Sequence, residues 1–310
     1  WEESHLPSLL YRRTVKNNFL GVNEMRKSLK KYFPIFVLPT LIAFIISFLV
    51  PFVWGIFLSF CKFKTVVDFK FVGFDSYAKI FSDPKNYFVN SFIFTVKFAV
   101  IAVILINVIA FVFATLLTKG LRMTNLYRSI FFMPNLVGGI VLGYTWQLLL
   151  NGIIKELVNA QTFISSNETY GFWGLVLLMN WQMIGYMMVI YIAGLQNIPT
   201  ELVEAAKIDG ASKWQVLKNV TIPMIMPSIT ICLFLTISNS FKLFDQNLAL
   251  TGGEPMRKTS LMALDIFLTT SSNTKIMNGV AQAKAVIFFI IVGIVAFIQL
   301  SATRKKEVQS

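Results

Sequence analysis

Apolar residues gather into six long runs, at about 35–60, 92–117, 130–150, 172–195, 224–244 and 285–302. At 1.5 Å of rise per helical residue, about 20 apolar residues cross a bilayer core of roughly 30 Å. The pattern therefore predicts an all-α membrane protein with six transmembrane helices. Pro39 and Pro51 predict a bend in the first span. Between the fourth and fifth runs lies a polar stretch, 195–227, that reads as structured. Thr200 is placed to N-cap a short helix over 201–208, and Asp209-Gly210 breaks it because glycine tolerates backbone angles that other residues resist. Ser212 restarts a helix, with Gln215 at capping-box spacing, and that helix runs toward Pro223. A helix, a glycine elbow and a second helix between two spans form a docking element.

Composition agrees with the runs. Of 310 residues, 55% are hydrophobic and 14% are charged, far below the roughly one quarter charged in soluble domains. Mean hydropathy is +0.66. The net charge of +13 lies in short loops and tails beside the apolar runs, not in a basic patch interleaved with surface aromatics, which argues against nucleic acid. The first run is longer than a signal-peptide core, and no small-x-small cleavage site follows it, so it reads as an uncleaved span. Cys61 and Cys232 imply no disulfide framework.

An even number of spans puts both termini on one side. With the termini inside, sixteen lysines and arginines face the cytoplasm and ten face outward, the direction the positive-inside rule favours. The stretch 195–227 is then cytoplasmic, residues 1–34 are a cytoplasmic arm and 304–310 a cytoplasmic tail. Met25 resembles a natural start, so 1–24 reads as a cytosolic arm or as sequence ahead of the native start. Outside, Asp75 is placed to cap a short helix through Phe81, and Asp83-Pro84 to begin another. The longest outer loop, about 246–284, carries Gly252, Gly253, Pro255 and a Ser/Thr-rich turn at 269–274. An external partner could touch the membrane part there.

Chemistry is sparse. One histidine, His5, excludes a His-based triad and argues against zinc. The run from Gly252 to Thr259 imitates a phosphate loop but has Arg257 where the second glycine must be, so the chain has no nucleotide site of its own. Polar residues inside the spans remain, costly in lipid and often functional. They are Tyr144 and Gln147 on the third span, Asn180, Gln182 and Tyr186 on the fourth, and Ser238, Asn239 and Ser240 on the fifth, with Trp146 and Trp181 among them. Uncharged amides, hydroxyls and aromatic faces suit a neutral polyhydroxylated solute; the other reading is that they tie helices together. Asn107 fits that second role, and Lys97 snorkels toward the outer surface. Lys242 and Asp245, three apart on the predicted fifth span, share a helical face and can pair, either structurally or on the solute path. No acidic residue is expected deeper in the membrane, which counts against a proton- or sodium-coupled carrier.

The run Glu204-Ala205-Ala206-Lys207-Ile208-Asp209-Gly210-Ala211, followed by Ile222-Pro223, resembles the EAA loop of permease subunits of binding-protein-dependent ABC importers. Three further stretches resemble the sugar-permease branch: Phe71-Val72-Gly73-Phe74-Asp75-Ser76-Tyr77, then Ala193-Gly194-Leu195-Gln196-Asn197-Ile198-Pro199, and Phe241-Lys242-Leu243-Phe244-Asp245 leading to Leu250-Thr251-Gly252-Gly253. Glu254 stands where that branch has a third glycine. The resemblance covers most of 32–303 and implies a type I importer permease fold, with a six-span domain over 35–303 and a coupling loop at 199–223. It implies that Glu204, Ala205, Ala206, Asp209, Gly210 and Ala211 seat on a cytoplasmic ATPase. It further implies a second related permease, two ATPase copies that hold the ATP and magnesium, and an extracellular solute-binding protein, all at a bacterial cell membrane. Tyr144, Gln147, Asn180, Trp181, Gln182, Tyr186, Asn239, Lys242 and Asp245 are the candidate substrate path for a sugar or oligosaccharide. A non-sugar cargo, such as a glycerophosphodiester or polyamine, and a non-transporting membrane scaffold remain as alternatives.

Overall fold

The computed structural model describes residues 32–305 except 84–85, 121, 159–162 and 272–274. The chain divides into two compact units, 1–57 and 58–310. In the first, helix α1 (Tyr32–Leu58) is apolar throughout, with side chains from Tyr32 to Phe57 exposed or half-exposed. Where a bend is expected the helix stays continuous and widens into a π turn, Ile45–Leu49. Pro51 has no N–H to donate and its ring crowds the carbonyl four residues back, so the preceding turn widens.

The second unit opens with an antiparallel hairpin, β1 (Cys61–Thr65) and β2 (Asp68–Phe71), pairing Cys61 with Phe71 and Lys62 with Lys70. Helix α2 (Asp75–Ser82) follows. Asp75 is its first helical residue, not its cap: Phe74 holds the cap position and no side chain caps it. The Asp75 carboxylate instead accepts from Lys79 at 2.8 Å and Lys62 at 2.9 Å, and those two ammonium groups hold its pKa below the usual carboxylate value. The helix start expected at Asp83-Pro84 lies largely outside the described residues, and the next helix begins at Phe88.

Three further long helices follow, α3 (Phe88–Leu117), α6 (Glu168–Gln196) and α12 (Lys275–Arg304), and the main core lies chiefly on α3 and α6. On α3, Phe98, Ala102, Ile106, Ala110 and Ala114 are all fully buried. They recur every four residues, a single ridge in which three alanines allow close approach to α6. Phe94 meets Phe172 and Phe111 meets Tyr191, so α3 and α6 run parallel. Asn107, midway along α3, donates to the Thr236 hydroxyl at 3.0 Å and accepts from the Tyr191 hydroxyl at 2.7 Å, tying three helices together. That is the role read from its position in the sequence.

Two spans are broken. The third apolar run is not one straight helix: α4 (Thr124–Phe132) and a 3-10 turn (Met133–Leu136) meet α5 (Gly139–Val158) at 100°. Pro134 sits at the start of that turn and Val137 is extended, so helical hydrogen bonding cannot pass through. Between α6 and the fifth span lie α7 (Thr200–Ile208) and α8 (Lys213–Met224), and α8 meets α9 (Met226–Lys242) at 71°. Pro227 removes the donor that would bond the Pro223 carbonyl, which forces the bend at Ile225. Helix α9 runs antiparallel to α6, with Ser228 beside Gly194 and Ser240 beside Met179.

The loop expected over 246–284 is mostly helical: α10 (Asp245–Leu250), α11 (Met262–Thr270) and the first turns of α12 occupy it. Fully buried Asn247 organises the turn between α10 and α11, donating to the Thr259 carbonyl at 2.8 Å and accepting from the Leu261 amide at 2.9 Å. The sixth span likewise starts about ten residues before the apolar run at 285. Lys284 therefore lies inside a helix, 1% exposed, with its ammonium 2.6 Å from Asp265 and 2.9 Å from the Thr269 hydroxyl. Asp265 is a buried acid that the apolar pattern concealed.

Candidate functional site

A cavity of about 360 Å³ opens where the break between α4 and α5, and a second break that ends α9 at Leu243, meet the middle of α6. Gln182 lies fourteen residues from each end of α6, so about 21 Å of helix extends on either side of it. Met179, Gln182, Met183 and Tyr186 supply one wall. Asn135 and Gly139 come from the break between α4 and α5, and Asn239 and Lys242 from the end of α9. Leu243, Phe244, Asp245 and Gln246 complete it from the following break.

Local sequence explains why these groups converge. Leu243 is extended and ends α9, so the chain turns and restarts as α10. Gly139 and Gly143 then let α10 press against α5: a Cβ at Gly139 would stand 2.8 Å from Asp245 Cβ, and one at Gly143 would stand 2.6 Å from Ala249 Cβ. Gly185 likewise leaves room for the Phe131 backbone at the end of α4. Within the cavity, Gln182 donates through Nε2 to the Val137 carbonyl at 3.2 Å and accepts through Oε1 from Gln246 Nε2. Asn135 donates weakly to Met183 Sδ at 3.8 Å. Lys242 and Asp245 are both exposed at its mouth and form no ion pair among the described residues. They are not three apart on one helix, because the break at Leu243 lies between them.

Of the path residues read from sequence, Gln182, Tyr186, Asn239, Lys242 and Asp245 line this cavity. The others lie elsewhere. Tyr144 is exposed on the outside of α5. Gln147 donates to the Leu250 carbonyl at 2.9 Å, bracing α5 against α10. Asn180 is buried and donates to Val176 of its own helix at 2.7 Å. Trp181 is 44% exposed and makes an edge contact with Trp146, ring centroids 5.4 Å apart. Asn135, Phe244 and Gln246 were missed. Depth along straight helices does not place them at the cavity; these three enter only because the helices break.

The polar stretch 195–227 forms the hairpin it promised. Thr200 is the first residue of α7 and Pro199 holds the cap position, so the expected threonine cap is absent. The capping box at Ser212 and Gln215 is present: the Ser212 amide donates to Gln215 Oε1 at 2.7 Å, and the Gln215 amide to Ser212 Oγ at 3.3 Å. Gly210 has φ +76, its amide donates to Lys207, and the Ala211 amide donates to Ala206. This is the paired bonding of a Schellman C-cap, which demands a left-handed residue. Glu204, Ala205, Asp209 and Gly210 are exposed, with Ala206 and Ala211 half-buried at the elbow. Leu202, Ile208 and Trp214 are 45%, 85% and 68% exposed on a hairpin that carries charge as well.

Long apolar helices around a polar midspan cavity, with a stiff helical hairpin projecting at one end, define a multi-pass membrane protein built as a transport permease. Residues 122–306 match the family described as "Binding-protein-dependent transport system inner membrane component". The chain is 43% identical over 281 residues to the probable starch degradation products transport system permease protein AmyD of Thermoanaerobacterium thermosulfurigenes, covering 89% of this chain and 94% of that one. It is 28% identical to the multiple sugar-binding transport system permease protein MsmF of Streptococcus mutans, over 92% and 99% of the two chains. Identity is 27% to the trehalose/maltose transport system permease protein MalF of Thermococcus litoralis, over 89% and 94%. The fold matches a chain of a bacterial ABC transporter that imports the acidic polysaccharide alginate, with TM-score 0.74, 16% identity and coverage of 91% and 99%. This chain belongs to the family of inner-membrane components of binding-protein-dependent transport systems; it is a permease subunit of an ABC importer.

Proposed function

We propose that the cargo is a sugar or oligosaccharide and that the midspan cavity carries it. The observation that carries this reading is the lining itself: amides of Asn135 and Asn239, the Tyr186 hydroxyl and an aromatic face at Phe244. Such groups exchange hydrogen bonds with hydroxyls and stack on apolar sugar faces. Relatives named for starch products, multiple sugars and trehalose or maltose support the same cargo class.

The family and the exposed hairpin support the following assembly. A second related permease pairs with this one, a solute-binding protein delivers cargo from outside, and two ATPase copies supply the energy. The elbow of α7 and α8 seats on one ATPase, with Ala205, Ala206 and Ala211 allowing close approach and Glu204 and Asp209 facing its cations. Movement of that ATPase then tilts the spans between inward- and outward-open states. Both termini and the hairpin are cytoplasmic, in a bacterial cell membrane.

The test is uptake by the four-subunit complex with its binding protein, reconstituted in vesicles against a panel of glycans. Asn239→Leu with Lys242→Met is expected to raise KM for uptake about tenfold, the cost of about 1.4 kcal/mol of cargo contact, with the complex intact. Unchanged KM in the double variant removes the cavity from the path, and uptake of no glycan in the panel removes the cargo class.

A further inference from the structure

The cavity lining contains a relay of side-chain hydrogen bonds that joins protein to protein. The Val137 carbonyl can only accept, so the Gln182 amide must turn its NH2 toward it. The Gln182 carbonyl then faces Gln246, which must offer its own NH2. The order of donors along the relay is thereby fixed, and the carbonyl of Gln246 is left buried with no partner. Gln182 makes a protein contact at each end of its amide, through one of its two N–H donors and one lone pair of Oε1.

What the relay joins is more telling. Val137 lies in the break between α4 and α5, and Gln246 just beyond the break between α9 and α10. Helices α5 and α10 are already one body: Gly139 and Gly143 bring their backbones together, and Gln147 bonds Leu250. Gln182 stands on the other side, midway along α6. Among the described residues the relay is a polar tie between that body and α6 at the cavity; beside it the Trp146–Trp181 contact is apolar and has no fixed donor order. A tie whose last acceptor is buried and unsatisfied carries a built-in penalty, so parting it exchanges a poor arrangement for solvation.

We propose that Gln182 and Gln246 form a releasable latch: positioning residues that hold α6 against the α5–α10 body and must part in each transport cycle to widen the cavity. This rests on the cavity being the cargo path. It assigns the two glutamines to conformational coupling and leaves Asn135, Tyr186, Asn239, Lys242, Phe244 and Asp245 as the groups that meet cargo.

The experiment uses the full reconstituted complex carrying Gln182→Cys with Gln246→Cys, joined by a short bis-methanethiosulfonate cross-linker, with each single cysteine variant as control. Cross-linking is expected to cut uptake at least tenfold and reductant to restore it. Uptake by the cross-linked complex at the unlinked rate overturns the latch. A second readout applies even if the cysteine pair does not support uptake. Gln182→Leu, Gln246→Leu and the double variant should raise ATP hydrolysis without cargo by the same factor, severalfold, because each breaks the same contact. Independent, multiplying effects, or none, overturn the proposal. If the unmodified complex takes up no glycan, the cargo reading falls, while ATP hydrolysis in the leucine variants still decides the latch.

Discussion

Lys284 and Asp265 are among the most completely enclosed side chains in the chain, at 1% and 0% exposure, and they face each other at 2.6 Å. Thr269 takes a second proton of the ammonium, and Arg257 stands 3.6 Å from the other carboxylate oxygen. Removing the lysine takes away the closer of the two cations and leaves the buried carboxylate with Arg257 at 3.6 Å. Lys284→Met is therefore expected to cost about 3–5 kcal/mol. Adding Asp265→Leu should recover most of that loss, since a well-packed apolar pair often equals a buried ionic one. Thermal unfolding of the purified complex in detergent measures both, and a double variant no more stable than the single would refute the account. Sequence offered no hint of this pair, because Lys284 precedes the apolar run and Asp265 lies in what read as loop. The same limit applies at the cavity. Gln182, Tyr186 and Asn239 were legible as polar residues at middle depth, but Asn135 and Gln246 reach the cavity only through bends that depth along a straight helix omits.

At the scale of elements, the hairpin of α7 and α8 depends on one residue for its angle. Gly210 has φ +76 and open space where a Cβ would stand, so the difficulty for any other residue is backbone strain and not a clash. Gly210→Ala should cost about 1 kcal/mol locally and leave the elbow in place. Gly210→Pro cannot adopt that φ and also loses the amide bond to Lys207, so it should change the hairpin angle. The expected outcome is a complex that assembles but loses most cargo-stimulated ATP hydrolysis with proline and little with alanine. Normal stimulation in the proline variant would end the assignment of this hairpin as the coupling element. The elbow was legible because its causes are local: a capping box, a glycine and a short polar stretch.

At the scale of the molecule, α3 and α6 run parallel and α9 antiparallel to them, which puts the hairpin and the C-terminal end of α3 at one end of the second unit. With more lysines and arginines assigned to that side, the hairpin should face the cytoplasm. A cysteine introduced as Lys213→Cys is expected to react with a membrane-impermeant maleimide in inside-out vesicles and to be silent in right-side-out ones. The reverse pattern would invert the topology. Sequence alone determined the class of protein, the number and order of the apolar runs, and the hairpin, because bilayer length, capping and glycine conformations act over neighbouring residues. Only the tertiary structure decided where the cavity lies and which amides face it. Those depend on two helix breaks, far apart in the chain, being pressed onto the middle of α6 by glycines and a chain of side-chain bonds, and no local pattern encodes that meeting.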